Sequence, residues 1–249
     1  FTAGALRGGT HVHTFAGDHN WIAFTYEDHV LQSNTNAPNT DRNQRNVGVS
    51  VAVRSISVPR THPRNHDGSH FSVLVTQTSN QPEPGSDQIA RAFSDAWVGT
   101  NGYLRNDGSR QEKAIAFQGE VTTTQGEQIS EVFIVDLPKD ITQPEPAGPL
   151  QGTIDLRPQP PRGTVQRRLT YTEHRAHPGI QGVRHWLRSS PDGSQIAFLM
   201  RDNEGVSQLW TVSPSGGSPR KLTSNPHDIG SAFSWSPDGK RIAHTMDQS

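Results

Sequence analysis

Short apolar runs separated by polar turns recur along the chain, and their pattern predicts strands. Trp21-Ile22-Ala23-Phe24-Thr25, Lys113-Ala114-Ile115-Ala116-Phe117 and the Ile196-Ala197-Phe198 run each follow a turn containing Asp. Val132-Phe133-Ile134-Val135-Asp136 and Gln208-Leu209-Trp210-Thr211-Val212 are further short apolar segments lying after polar turns. Such runs, bounded by Gly, Pro, Asn and Asp, are the signature of hairpin-linked strands. No amphipathic pattern longer than a couple of helical turns is present.

The runs belong to a repeat. Ser189-Ser190-Pro191-Asp192-Gly193-Ser194-Gln195-Ile196-Ala197-Phe198 matches Ser234-Trp235-Ser236-Pro237-Asp238-Gly239-Lys240-Arg241-Ile242-Ala243, a step of 46 residues from Asp192 to Asp238. Pro presets φ, Asp bonds back to the backbone and Gly accepts positive φ, so Pro-Asp-Gly specifies a tight turn between two strands. Asn106-Asp107-Gly108 is a copy with a short insertion before its strand, and Ala16-Gly17-Asp18-His19-Asn20 is one with Pro lost and Gly displaced. Arg168-Leu169-Thr170 and Lys221-Leu222-Thr223 close two of the units. The period matches a four-stranded propeller blade.

The predicted architecture is all-β: propeller blades of four antiparallel strands, about three and a half in this chain. The blades span about 9–80, 92–172, 182–224 and 228–249, the last truncated. Strands of the first are expected near 10–15, 21–31, 47–56 and 70–78. Residues 138–166, rich in Pro and Gly, are expected as an exposed loop or linker within the second blade, and 32–46 and 79–87 as further loops. A blade needs neighbours to cover both faces. The count therefore predicts exposed inter-blade faces at both ends, covered in a larger ring by a longer parent or by a second chain.

The pattern Ser-Pro-Asp-Gly-x-x-Ile-Ala-Phe, an apolar strand and then a Lys-Leu-Thr segment resembles the WD40-like repeat of TolB-type propellers and of the propellers in prolyl-oligopeptidase-type peptidases. Residues 8–31 and 182–200 are similar to the uncharacterised bacterial YidR-type propeller family. The resemblance implies a longer parent and no particular activity, since propellers host binding modules and enzymes alike.

Composition narrows the chemistry. The 249 residues carry 23 Lys+Arg against 24 Asp+Glu, so no electrostatic case exists for nucleic acid as a partner. No cysteine is present, which removes disulfides, thiolate metal sites and Cys nucleophiles. No apolar run approaches a bilayer span, so membrane insertion is not expected. The chain begins at Phe1, which points to a removed leader or a longer protein, and leaves the bacterial periplasm and cytoplasm both open. No Gly-x-Ser-x-Gly elbow and no phosphate-binding Gly loop is found.

Twelve histidines stand out. His11 and His13 lie two apart on a predicted first strand, where alternation would give them one face and a shared metal. His11 precedes Asp18 by seven residues and His185 precedes Asp192 by seven, so the two occupy equivalent blade positions. First strands line a propeller's channel, so His11, His13 and His185 are candidate ligands of a divalent metal. Ser231 occupies the equivalent place in the fourth unit. Arg184 beside His185 is a candidate for binding an anionic ligand. Structural histidines, bonded to backbone between blades, are the competing assignment. Glu27-Asp28-His29, the 173–177 segment and His62, His66 and His70 are weaker clusters. Two functions follow: a propeller binding a protein or small molecule at its channel mouth, or a metal-dependent carbohydrate-active enzyme. The latter rests on the resemblance to oligogalacturonate lyases, propellers of this repeat type with a His-rich metal site.

Overall fold

The computed structural model describes residues 1–33, 41–146, 148–182 and 185–247. Within them the chain forms successive antiparallel meanders. The first sheet runs β1 (Gly9–Phe15), β2 (Trp21–Glu27), β3 (Asn46–Val51) and β4 (Phe71–Leu74). The second comprises β5 (Ile89–Trp97), β8 (Ala114–Thr122), β9 (Gln128–Asp136) and β10 (Val165–Arg168), with a two-stranded hairpin, β6 (Tyr103–Leu104) and β7 (Arg110–Gln111), inserted after β5. The third is β11 (Arg188–Ser189), β12 (Ile196–Arg201), β13 (Ser207–Val212) and β14 (Arg220–Lys221), and a fourth begins with β15 (Ser234–Trp235) and β16 (Ile242–Ala243). The first strands of neighbouring sheets touch, which is the radial arrangement of a β-propeller.

The repeated turn has one construction. Asp192 and Asp238 accept hydrogen bonds from the amides two residues on, Ser194 at 3.0 Å and Lys240 at 3.1 Å. Asp107 does the same with Ser109 at 2.9 Å, and Asp18 with Asn20 at 3.1 Å. Gly193 and Gly239 take positive φ, and His19 holds the equivalent place in the first turn at φ 59.

Each central strand divides its side chains between two neighbours. Ile115 and Phe117 pack toward the first blade while Ala116 packs toward the third. Ile196 and Phe198 likewise pack between the second and third blades, and Ala197 toward the fourth. Period-two alternation makes this split automatic, and each fully buried Phe or Ile contributes roughly 1.5–3 kcal/mol.

Two details of the first blade depart from the sequence-based expectation. The apolar pattern carries the second strand to residue 31, but the strand stops at Glu27. There Asp28 accepts the Leu31 amide at 3.0 Å and caps the five-residue helix α1 (His29–Ser33). Residues 34–40 of the loop expected at 32–46 lie outside the described residues. The face of the first blade turned away from the second, expected to be exposed, is covered: Phe24, Tyr26 and Leu74 are buried with Leu6 of the N-terminal segment against them. That segment also borders β4, where the Ser72 amide donates to the Gly4 carbonyl at 2.9 Å.

The Pro-rich insertion is not a free loop either. Ile141 and Leu150 are buried in the core between the first two blades. Arg157 is 6% exposed and spans back to the first blade. Its guanidinium donates to Asp41 Oδ1 at 3.0 Å, Asn80 Oδ1 at 2.6 Å and the Thr78 carbonyl at 2.8 Å, and its amide donates to Asp41 Oδ2 at 2.8 Å. Pro supplies stiffness without needing a strand partner, so the segment works as a strap.

Candidate functional site

The innermost strands carry the site. In β1 the pairing shifts between His11 and Thr14, and in β5 between Phe93 and Ala96. Each shift is a one-residue bulge, with Val12 and Ser94 both at φ 55. A positive φ is uncommon for any residue with a Cβ and is an outlier for β-branched Val.

The bulge corrects the expectation that His11 and His13 share a face. His11 pairs with Thr25 and Thr14 with Ala23, so both of these first-strand residues turn toward the second blade. His13 falls on the opposite face, its ring 6.1 Å from that of Phe24 and its Nε2 3.0 Å from Thr10 Oγ1. Alternation by two holds only in an unbroken strand.

The blade register of His11 and His185 is equivalent. His11, Phe93, His185 and Ser231 each precede by three the residue paired with Ala23, Ala116, Ala197 or Ala243. Their surroundings differ. His185 is 4% exposed, its ring lies 5.6 Å from that of Phe233, and its Nε2 accepts the Leu199 amide at 3.1 Å. An amide only donates, so the Nε2 lone pair is committed to backbone and the ring proton sits on Nδ1. His11, His13 and His185 are not brought together, and among the described residues no three His, Asp or Glu gather in a group able to hold a metal. Arg184 lies outside the described residues.

What does converge is a cavity of about 230 Å³ where the first three blades meet. Arg45 enters from just before β3, Arg91, Phe93 and Ser94 from β5, and Gln118 from β8, with His185 at the third blade. Gln118 Nε2 donates to the His185 carbonyl at 3.2 Å and closes the wall between the second and third blades. Arg45 is held by Glu27, with Nε and Nη2 at 3.0 and 2.8 Å from one carboxylate oxygen. Arg91 is held in the same side-on way by Glu120 at 3.0 and 2.6 Å, and stands 5.4 Å from the Phe93 ring centroid. Next to Ser94, the Asp95 carboxyl is buried against the first blade. Thr25 Oγ1 donates to its Oδ1 at 3.4 Å, no described residue hydrogen-bonds its Oδ2, and burial pushes its pKa up to about 6.

The weaker clusters are structural or exposed. Glu27 serves Arg45, while Asp28 is buried against Arg7 at 2.7 Å. Glu173 accepts from Thr124 Oγ1 at 3.2 Å. In the exposed 60–70 loop, His62 Nδ1 accepts the Arg64 amide at 3.1 Å and His70 Nδ1 bonds Ser69 Oγ at 2.9 Å. Sequence reasoning missed Arg45, Arg91 and Asp95. Counting back from the turn aspartate finds His11 and His185, but in the second blade Asp107 sits in the turn of the inserted β6–β7 hairpin, so the same count misses Phe93 and its neighbours.

Comparison with known proteins places the chain among bacterial relatives. Residues 1–66 match a family described as "Protein of unknown function (DUF3748)". The chain is 47% identical to "Uncharacterized protein YidR" of Escherichia coli (strain K12) over 250 aligned positions, covering 99% of this chain and 56% of YidR. It is 45% identical over 60 residues to "Uncharacterized peptidase YuxL" of Bacillus subtilis (strain 168), covering 24% of this chain and 9% of that protein. The crystal structure of TolB from Acinetobacter baumannii aligns with a TM-score of 0.46 at 15% identity, covering 97% of this chain and 39% of TolB. The chain thus spans just over half the length of YidR, and it is a relative of that protein whose described residues fold as β-propeller blades.

Proposed function

We propose that this chain is the ligand-binding part of a β-propeller and that its site is the channel-end cavity bounded by Arg45, Arg91, Phe93, Gln118 and His185. The observation that carries this is that two arginines, each held by a carboxylate, and one aromatic residue line a single concave space between three blades. Concave sites with a few fixed polar groups at element junctions are where small molecules bind. The walls are preorganised: Arg45 and Arg91 are each fixed by a carboxylate, and Gln118 by a backbone oxygen. His185 contributes as a wall residue, its imidazole being engaged with the Leu199 amide.

The absence of native cysteine provides the test. Gln181, at the rim of the cavity, replaced by Cys gives a chain with a single thiol. Its rate of maleimide labelling is measured against a panel of neutral sugars, organic acids, amino acids and phosphates. At least one class is expected to slow labelling several-fold at saturation. If no compound protects the thiol or raises the melting temperature, this assignment is wrong.

A further inference from the structure

We infer that the cavity binds an oxyanion, the carboxylate or phosphate group of a small molecule, through the outer edges of Arg45 and Arg91. This inference rests on the cavity being the ligand site. A guanidinium presents five N–H donors in a rigid plane. Arg45 and Arg91 each spend Nε and one Nη2 donor on a single carboxylate oxygen, of Glu27 and Glu120 respectively. No described residue engages Nη1 of either. The two ion pairs therefore neutralise and orient the guanidiniums without consuming the Nη1–Nη2 edge. That edge matches the spacing of two oxygens on a carboxylate or phosphate. Phe93 beneath Arg91 limits its swing, since the guanidinium stacks over the ring.

The Glu partners make a sharp distinction possible. An incoming oxyanion shares each guanidinium with a resident carboxylate, so removing that negative charge strengthens the field felt by the ligand. Were Glu120 only a scaffold for the cavity, its loss would weaken binding of anything.

The experiment is calorimetric titration of the full chain with succinate, inorganic phosphate and glucose, alongside thiol protection of the Gln181→Cys protein by the same three probes. Binding is expected for succinate or phosphate, the two arms separating the carboxylate from the phosphate source. Raising salt from about 50 to about 500 mM is expected to weaken it, because screening shortens the reach of the two guanidiniums. Arg45→Gln and Arg91→Gln should each weaken it by about tenfold or more, the scale of one charge-assisted hydrogen bond. Arg91→Lys should weaken it too, since an ammonium lacks the fork. Glu120→Gln should tighten it several-fold, an outcome that loss of folding does not produce. Weaker anion binding in Glu120→Gln at unchanged melting temperature overturns the inference. Protection by glucose or another neutral compound, with neither anion binding, overturns it while leaving the cavity as the ligand site. Protection by nothing in the wider panel removes both.

Discussion

The Trp97 indole reaches across the first blade boundary, its Nε1 donating to the Thr14 carbonyl at 3.1 Å. Trp235 makes the same bond at 3.1 Å to Arg188, the residue in the third blade that corresponds to Thr14. Position and partner recur together, so the bond is part of how one blade's inner strand is fastened to the next. Replacing Trp97 with Phe removes the donor and leaves a gap beside Trp21, whose ring meets Trp97 edge-on at 6.4 Å. We expect a loss of about 1–3 kcal/mol, read as a lower urea midpoint with an unchanged slope. An unmoved midpoint would mean the recurrence is incidental.

His19 carries strain that its counterparts avoid. It sits at φ 59 where Gly193 and Gly239 sit at 76 and 70. The left-handed conformation costs a residue with a Cβ roughly 1–2 kcal/mol, partly offset by the greater unfolded-state freedom of Gly. His19→Gly is therefore expected to stabilise the protein by about 0.5–1 kcal/mol, seen as a higher melting temperature. A decrease would show that the His19 ring, 6.5 Å from that of Phe15, contributes more than the backbone loses.

The turns and central strands are legible in the sequence because their signal is local. Pro191-Asp192-Gly193 dictates its own geometry, and Ile196-Ala197-Phe198 sorts its faces by alternation alone. The channel is legible only in register. The equivalence of His11 and His185 follows from counting, but what each faces depends on a bulge at Val12 that no residue there advertises. Arg157 is illegible for a different reason. Its partners Asp41, Thr78 and Asn80 lie far off along the chain, and Pro-rich composition describes a strap and a loose linker equally well.

Arg157 supplies the next test. It is buried and bonded to two segments of the first blade, 41–44 and 78–80, so Arg157→Ala leaves Asp41 without its ion-pair partner and Asn80 Oδ1 without that donor. Breaking a buried ion pair from one side costs about 3–5 kcal/mol. Since Asp41 keeps some solvent contact, about 2–4 kcal/mol is expected here. The insertion should also detach before the blades unfold, giving cleavage within 138–164 by a nonspecific protease under conditions where the parent is resistant. Equal resistance of the two proteins would show that Ile141 and Leu150 hold the strap unaided.

Asp95 makes a prediction about pH. Burial raises its carboxyl from 3.8 to about 6, and neither its own backbone amide nor the Thr25 hydroxyl at 3.4 Å compensates. The folded state therefore holds a proton that the unfolded state releases. Its contribution to stability is fully present below pH 3.8 and is lost as pH rises through about 6. The size is on the order of 3 kcal/mol, since each tenfold difference in proton affinity between the folded and unfolded states is worth about 1.4 kcal/mol. Asp95→Asn keeps the shape and cannot ionise, so it should be more stable than the parent at pH 8, with the difference shrinking toward pH 4. Other carboxylates act oppositely. Asp192, Asp238 and Asp107 are held low first by the hydroxyls of Ser190, Ser236 and Ser109, and contribute stability that is lost as pH falls. The parent's own profile mixes these two signs and does not report Asp95 by itself. The difference between parent and Asp95→Asn cancels the shared carboxylates and isolates the one group, so urea midpoints for both proteins at several pH values between 4 and 8 decide the matter. Parallel curves across that window would place the Asp95 proton outside the folding equilibrium.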